Sequence, residues 1–464
     1  MTTKVKKLNF YKRAEDIFEK YKDENMSIFL DSSLKNTMGQ YSIIGLNPYL
    51  ILKECDGIFY KNNVPQEITF EEGMQKYLEK YKEKNPTNLP LIAGALGYFS
   101  YDYGRKFEQI SSRHPKKLSV PDALFVFYDL LIIDDKTEKS LYLTARGETK
   151  NPDAAIKDLE EEIKECPSYK KPEKHSSLAE FTPNFTKEDY KEAIDKMISY
   201  IIEGDIYIAN MTQQLTIKSE KSPYEVYRYL RTHNPSPFGG FFQCDTFQVV
   251  CSSPERFLKV TDGCIETRPI KGTRKRGETP LEDRILKEEL KNSSKDRSEL
   301  LMIVDLERND LNHVCEPGSV KVTEHFAVET YSTVFHLVTT IIGKLKQELH
   351  TSDLIKSAFP GGSITGAPKI RAMEIIDELE HDRRNLYTGS MGYFSFDGNC
   401  DFNIIIRTAV HQDNQYHLGV GGGITCESDL EFEYEETLQK AKALLEALWD
   451  EKYCLYRMKD IIFG

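Results

Sequence analysis

The sequence predicts an α+β fold: two face-to-face antiparallel β-sheets forming a sandwich-like core, surrounded by helices, in two interwoven subdomains. Three observations lead there. Segments rich in aromatic and β-branched residues, at 91–102, 123–134 and 140–146, follow one another with only turn material such as DDKTEK (134–139) between the last two. That is hairpin connectivity, whereas parallel strands need long crossovers. Near the C-terminus 390–396, the turn Asp397-Gly398-Asn399, 401–410 and 416–420 read as a three-strand meander. Finally, ALGYFSYD (95–102) and SMGYFSFD (390–397) share a G-Y-F-S-aromatic-D string. Two related sheets, one in each half and packed face to face, would explain the echo; chance resemblance of aromatic strands is the alternative.

In order along the chain, residues 1–150 read as a helix and then strands, and 151–183 as a helix followed by a polar, Pro/Lys/Glu-rich connection (CPSYKKPEKHSSLAEFTP). The region 184–464 follows. Thr186 starts a cap with Asp189 three residues on, and Tyr190, Ile194, Met197, Ile198, Ile201 and Ile202 continue at helical spacing to Gly204. A strand at 207–217, a helix at 224–231, a hairpin at 238–257 and helices at 281–291 and 295–311 come next. In the last helix, from about Ser428, Tyr434, Leu438, Ala441, Leu445 and Leu448 form one apolar stripe.

The 464 residues carry 62 Lys+Arg against 74 Asp+Glu, a net charge of −12. An acidic chain repels polyanions, which argues against a nucleic-acid binder. No stretch reaches the roughly 18 apolar residues of a spanning helix, and the first 25 residues lack a secretory apolar core. A cytoplasmic enzyme without membrane contact is expected. The nine cysteines (55, 166, 244, 251, 264, 315, 400, 426 and 454) contain no C-x-x-C pair, so reduced structural thiols are expected in place of zinc or disulfides.

Three constellations could carry chemistry. Glu433 and Glu436 stand at i and i+3 within ESDLEFEYEET, and Asp296 and Glu299 repeat that spacing before another apolar helix. Each pair shares a helical face. Two such pairs could hold one hard cation; a solvated first helical turn is the plainer reading. Second, FPGGSITGAPKIRAME (359–374) and GVGGGIT (419–425) read as glycine-rich turns presenting N–H groups, and Arg407 lies on a strand FNIIIRTAV with Asn403 and Ile405 on its own face. An Arg fork with N–H nests suits a carboxylate. Third, RPIKGTRKR (268–276) is a basic cluster, ordinarily solvated surface, in which Lys271 stands among cations; such a lysine sheds its proton more easily and becomes a nucleophile or base. No P-loop, Rossmann fingerprint, hydrolase elbow, H-E-x-x-H zinc motif or G-x-C-x-G glutaminase nucleophile occurs.

In order, SSPERF (252–257), RPIKGTRKRG (268–277), DRSELLMIVDLERNDL (296–311), FPGGSITGAPKIRAMEII (359–376), MGYFSFDGN…IRTAV (391–410) and GGGIT…YEETLQKAKALL (421–445) resemble the chorismate-utilising enzyme family. The resemblance covers residues 187–448, with ALGYFSYD upstream. It implies that Mg²⁺ is held by Glu299 and Glu436 directly, with Asp296 and Glu433 completing the shell. It implies substrate contacts from Arg407, Tyr387, Ser363, Thr273, Gly421, Gly422 and Gly423, and acid–base roles for Glu255 and His336. Within the family, lysine in P-I-K-G-T marks the aminodeoxychorismate synthases, whereas anthranilate synthases carry alanine there; this chain has Lys271. Isochorismate and salicylate synthases place a base lysine where this chain has Ile208, and ammonia-using members commonly have glutamine.

The resemblance therefore implies Mg-dependent amination of chorismate at C4 through a covalent Lys271 adduct at C2, on the way to 4-aminobenzoate and folate. Ammonia would come from a separate glutamine amidotransferase subunit, and a further enzyme would release 4-aminobenzoate. Anthranilate synthase component I is the runner-up, and a non-catalytic chorismate or tryptophan binder the reading from another class. IFLDSSL, YSIIG and NPSPF resemble the family's tryptophan pocket and propose Asp31, Ser33, Tyr41, Ser42, Pro235 and Ser236 as its walls, with ordinary sheet packing as the alternative.

Overall fold

The computed structural model describes residues 2–34, 38–167, 179–331 and 334–449. Cys454 lies outside them, and the other eight cysteines are free thiols. At the centre, strands Tyr41–Cys55 and Ala123–Asp135 form one long antiparallel ribbon, from Tyr41 opposite Asp135 to Glu54 opposite Ala123. A register shift between Pro48 and Leu50 breaks the ribbon in its middle, beside Asn47 at a φ of 54°. Proline cannot donate to the ladder, and the extra residue bends the strand.

Two arms leave the ribbon on either side of that bulge. One runs from the start of strand 41–55 through Ile28–Asp31, Phe238–Gln243, Gln248–Ser253, Thr408–Gln412 and Gln415–Ile424 to Ile208–Ser219. The other runs from the start of strand 123–135 through Gly94–Phe99, Ser390–Ser395, Cys400–Asn403, Arg256–Thr261 and Cys264–Thr267 to Val334–Lys344, which also pairs with Ile270–Lys275. Among the described residues every pairing is antiparallel, and the expected pair of separate sheets is one connected network. Between the arms lies a core cluster built without helix residues: Leu96, Tyr98, Leu124, Val126, Met391 and Tyr393 from one arm meet Phe242, Val249, Cys251 and Val410 of the other. All thirteen residues of strand 123–135 are buried, because its other face (Phe125, Phe127) joins a second core cluster that includes helix residues.

Two expectations change. The echoing strings are edge-to-edge neighbours, with Gly97 opposite Gly392, so they pair within one arm and do not face each other across a core. The meander is also broken: strand 400–403 ends at Asn403, strand 408–412 begins at Thr408, and the two belong to different arms.

The helices pack on the outer faces. Helix Ser294–Val314 starts at Ser293, whose hydroxyl accepts from the Asp296 N–H at 3.2 Å, and buries Leu300, Ile303, Val304, Leu311 and Val314. Helix Leu430–Leu448 is capped by Asp429 and buries the whole stripe Tyr434, Leu438, Ala441, Leu445 and Leu448. At about 1.5–3 kcal/mol for each large apolar side chain, such stripes fix both helices firmly. Their N-terminal turns meet over one cavity. Among the described residues no helix is long and apolar enough to cross a membrane.

Candidate active site

The cavity has a volume of about 590 Å³ and lies where strands 270–275 and 415–424 approach helices 294–314 and 430–448. Glu255, Lys271, Thr273, His336, Ser363, Tyr387, Arg407, Gly421 and Gly423 all line it, together with Asp296, Glu299, Glu433 and Glu436. Gly422 is outside the lining; a Cβ there would stand 2.8 Å from Glu436 Oε2 and 3.1 Å from Glu433 Oε2, so its bareness admits both carboxylates.

Lys271 reaches the cavity because its strand bulges. The register against strand 334–344 shifts between Lys271 and Thr273, and Gly272 takes a φ of 73° with a Cβ position 2.8 Å from the Asp296 carboxylate. A side chain at that position would be excluded both by strain and by contact. Lys271 Nζ donates to the Ser363 carbonyl at 3.3 Å, and the Ser363 hydroxyl donates to Glu255 Oε1 at 2.8 Å. The cations adjacent in sequence pair with acids: Arg268 with Glu329 and Arg276 with Asp283, while Arg274, itself in the cavity lining, pairs with Glu289 and Asp296. The cavity wall around Lys271 mixes signs: Lys271 favours the charged forms of Glu255 and Glu299, and the cations Arg274, Lys295, Arg407 and Lys440 line the same cavity.

Burial raises the Glu255 carboxyl, with Ser363, Lys271 and Arg407 opposing it. Such a group carries a proton further toward neutrality than a solvated glutamate does. His336 pairs with Thr273 Oγ1 at 3.0 Å, and burial with nearby Arg407 lowers it to about 4. It is a neutral imidazole at physiological pH. Arg407 lies in the crossing between the two arms at a φ of 50°, not on a continuous strand. Burial lowers its pKa, and its guanidinium makes no ion pair among the described residues. The glycine run likewise is strand, not turn: Gly421, Gly422 and Gly423 pair with Thr212, Met211 and Asn210.

The acidic residues form an oxygen-only donor set. Burial raises Glu299 and Glu433, and Glu436 adds like-charge repulsion to both. Lys440 Nζ lies 3.2 Å from Glu436 Oε2 and donates to the Gly421 carbonyl at 2.8 Å, while Arg274 holds Asp296 at 3.1 Å. Mutually repelling carboxylates next to a lysine-bound carbonyl suit a hard cation such as magnesium. No three metal-ligating side chains among the described residues are already clustered for it.

Sequence reading missed several lining residues. Asn210 contributes a buried Oδ1 with no partner among the described residues, and Lys440 follows Glu436 by four positions, a spacing legible beforehand. Ile208 acquires a location. Its Cδ1 is 3.6 Å, and Lys271 Nζ 3.2 Å, from the point a Cβ on Gly423 would occupy, so it presents apolar surface beside the lysine.

A second cavity of about 500 Å³ lies near Asp31 and Tyr41. Ser33, Ser42, Pro235 and Ser236 are outside its lining. Asp31 accepts from Ser42 and Lys136 at 3.0 Å, Tyr227 at 2.9 Å and Arg231 at 2.8 Å. Burial alone would raise its pKa, but Arg231 and Lys136 bring it below the usual range.

The family model described as chorismate binding enzyme matches residues 34–446. The chain is 38% identical over 421 residues to aminodeoxychorismate synthase component 1 of Bacillus subtilis (strain 168), covering 88% of this chain and 89% of that one. It is 36% identical over 450 residues to anthranilate synthase component 1 of Aquifex aeolicus (strain VF5), covering 93% and 91%. The crystal structure of anthranilate synthase component I from Streptococcus pneumoniae TIGR4 superposes with a TM-score of 0.80 at 29% identity, over 89% of this chain and 93% of that one.

Proposed function

The chain belongs to the chorismate-binding enzyme family, and from that premise we propose that it aminates chorismate at C4 to give 4-amino-4-deoxychorismate. The observation that carries this reading is Lys271, bulged into the cavity between the Ser363 carbonyl and the bare face of Gly423. An amine so placed can attack a ring carbon.

Arg407, an unpaired guanidinium among the described residues, suits one carboxylate of the dianionic substrate. Magnesium, held directly by Glu299 and Glu436 with Asp296 and Glu433 completing the shell, would neutralise the other carboxylate. Lys271, reacting through its free amine, adds at C2 while the C4 hydroxyl departs as water with the proton that burial retains on Glu255. Ammonia adds at C4, the Lys271–C2 bond breaks, and the surplus ammonium proton returns to Glu255. Pyruvate is not lost. Splitting one displacement into two lowers the barrier of each.

The similar relatives are named as first components, which supports a second, ammonia-supplying glutamine amidotransferase subunit. The cavity beside Asp31 is read as a tryptophan pocket, tested by the thermal shift that saturating tryptophan gives. One other activity has specific support: the 36% identity to an anthranilate synthase component 1 is close to the 38% to an aminodeoxychorismate synthase component 1. Incubation with chorismate, magnesium and ammonium, followed by mass identification of products, decides. Aminodeoxychorismate without pyruvate is expected; anthranilate with pyruvate establishes the second reading, and unreacted chorismate overturns both.

A further inference from the structure

Asn210 lines the catalytic cavity with a side-chain amide that the reaction above leaves idle. Its backbone is pinned: the N–H donates to the Thr365 carbonyl at 2.8 Å, the carbonyl accepts from the buried Arg384 guanidinium at 2.6 Å, and Gly423 stands directly opposite on the next strand. Arg384 also donates to the Ile364 carbonyl at 2.7 Å, so strand 208–219 is fixed to the loop that carries Ser363. The amide itself makes no hydrogen bond among the described residues, and its Oδ1 is buried. A buried acceptor without a partner is unfavourable, and nothing in the chain offsets it. Opposite residues of an antiparallel pair point to the same face, with Cβ atoms about 4.5–5.5 Å apart. Ile208, two residues before Asn210, shares that face. Lys271 Nζ lies 3.2 Å and Ile208 Cδ1 3.6 Å from the point a Cβ on Gly423 would occupy, and no other part of the described chain beyond the glycine's own neighbours comes within 4 Å of it. Bare Gly423 thus floors a small hollow with an amine, an apolar methyl and an idle amide around it.

We propose that Asn210 is the residue that receives ammonia: its carbonyl oxygen accepts an N–H of the nucleophile in the hollow over Gly423, beside Lys271. Ammonia has three hydrogens to donate and one lone pair, and only the lone pair forms the bond to carbon. A site for it must therefore accept from it, because a donor would occupy the lone pair. An asparagine carbonyl does that, and Ile208 offers no competing donor. No bond fixes the amide, so a half-turn about χ2 brings its oxygen to the cavity side when ammonia enters. The reaction also needs two nitrogen nucleophiles in turn on one ring, Lys271 at C2 and ammonia at C4, one carbon apart. Their sites must be neighbours, as the lysine and the hollow are. The N–C4 bond forms as the Lys271–C2 bond breaks and Glu255 takes the surplus proton; Asn210 holds the nitrogen and exchanges no proton.

The ammonia site rests on the proposed amination, and kinetics with ammonium chloride as the nitrogen source separate the two. Asn210→Leu has nearly the same shape and no polar atom. In this variant KM for ammonium is expected to rise about tenfold, the loss of one hydrogen bond, with KM for chorismate unchanged. Asn210→Ala, smaller at the same place, is expected to show the same split, which rules out crowding by the leucine as its cause. Because the amide has no partner to lose, the substrate-free variants are expected to melt no lower than the parent. Parent KM for ammonium in either variant, or a rise in KM for chorismate in its place, overturns the proposal. So does a melting temperature several degrees lower in both variants, which would make the amide structural. A parent that leaves chorismate unreacted overturns the amination and this site with it, whereas a parent that releases anthranilate moves the attacked carbon and leaves the same KM split to decide.

Discussion

Lys271 Nζ and the carbonyl oxygen of Ser363 are 3.3 Å apart, and it is the backbone of Ser363, not its side chain, that the lysine uses. The hydroxyl serves Glu255 instead. One serine thus spaces the amine from the acid through two different groups. Lys271→Ala is expected to lower kcat/KM by about 10³-fold or more, because no other amine occupies that point. Ser363→Ala retains the carbonyl and loses one charge-assisted hydrogen bond, a fall of about tenfold to a hundredfold. Steady-state rates of both variants check this; a Lys271→Ala protein making product at the parent rate sinks the nucleophile assignment.

Glu299 and Glu433 are raised by burial first, and then by Asp296 or Glu436. The folded metal-free protein therefore binds protons that the unfolded chain, with glutamates near about 4.3, has released. Through the window above that value these groups cost stability as pH rises. Melting temperatures measured without metal should show that loss, and magnesium, which binds the ionised form, should offset it. Glu299→Gln should flatten the slope and weaken the magnesium-induced shift. A slope unaltered by Glu299→Gln would refute the assignment.

Gly421 and Gly423 are two residues apart on one strand and should respond oppositely to alanine. At Gly421 a Cβ would stand 2.3 Å from the Met211 carbonyl oxygen, so the backbone must move. Destabilisation of about 1–3 kcal/mol in urea titration is expected. At Gly423 the nearest atom is Lys271 Nζ at 3.2 Å, the end of a flexible side chain. Gly423→Ala should keep its melting temperature and lose about a hundredfold in kcat, as a displaced reacting group does.

Asp31 ties Arg231 on one element to Lys136 on another. Asp31→Asn removes the buried carboxylate shared by Lys136 and Arg231, of which Arg231 keeps Glu15 at 3.0 Å, at a cost of about 1–3 kcal/mol. Because the Asp31 pKa is depressed, its contribution is complete above the unfolded value of about 3.9 and is lost as pH falls through the folded one. Urea titrations of parent and variant at pH 7 and in acid should converge at the acid end; a constant gap would contradict the ion-pair account.

The candidate site was largely legible because its residues lie in short motifs whose order survives in sequence. What was illegible depended on distant strands. Arg407 was placed on a continuous strand because Ile404, Ile405 and Ile406 look like one; the arms diverge there, and only the pairing partners of 400–403 and 408–412 reveal it. The three glycines at 421–423 have poor strand propensity, yet strand 208–219 supplies a ladder that overrides it. The Gly97–Gly392 pairing was visible as an echo, but its edge-to-edge geometry was not.

That pairing has a practical consequence for dividing the chain. Cleavage in the 151–183 connection would leave the Gly94–Phe99 and Ser390–Ser395 edges bare on separate fragments, and likewise Ile28–Asp31 and Phe238–Gln243. Each piece alone would present long unpaired edges that invite aggregation. Produced together, the same two pairs of edges are templates for each other, which makes the chain a natural subject for split-protein complementation.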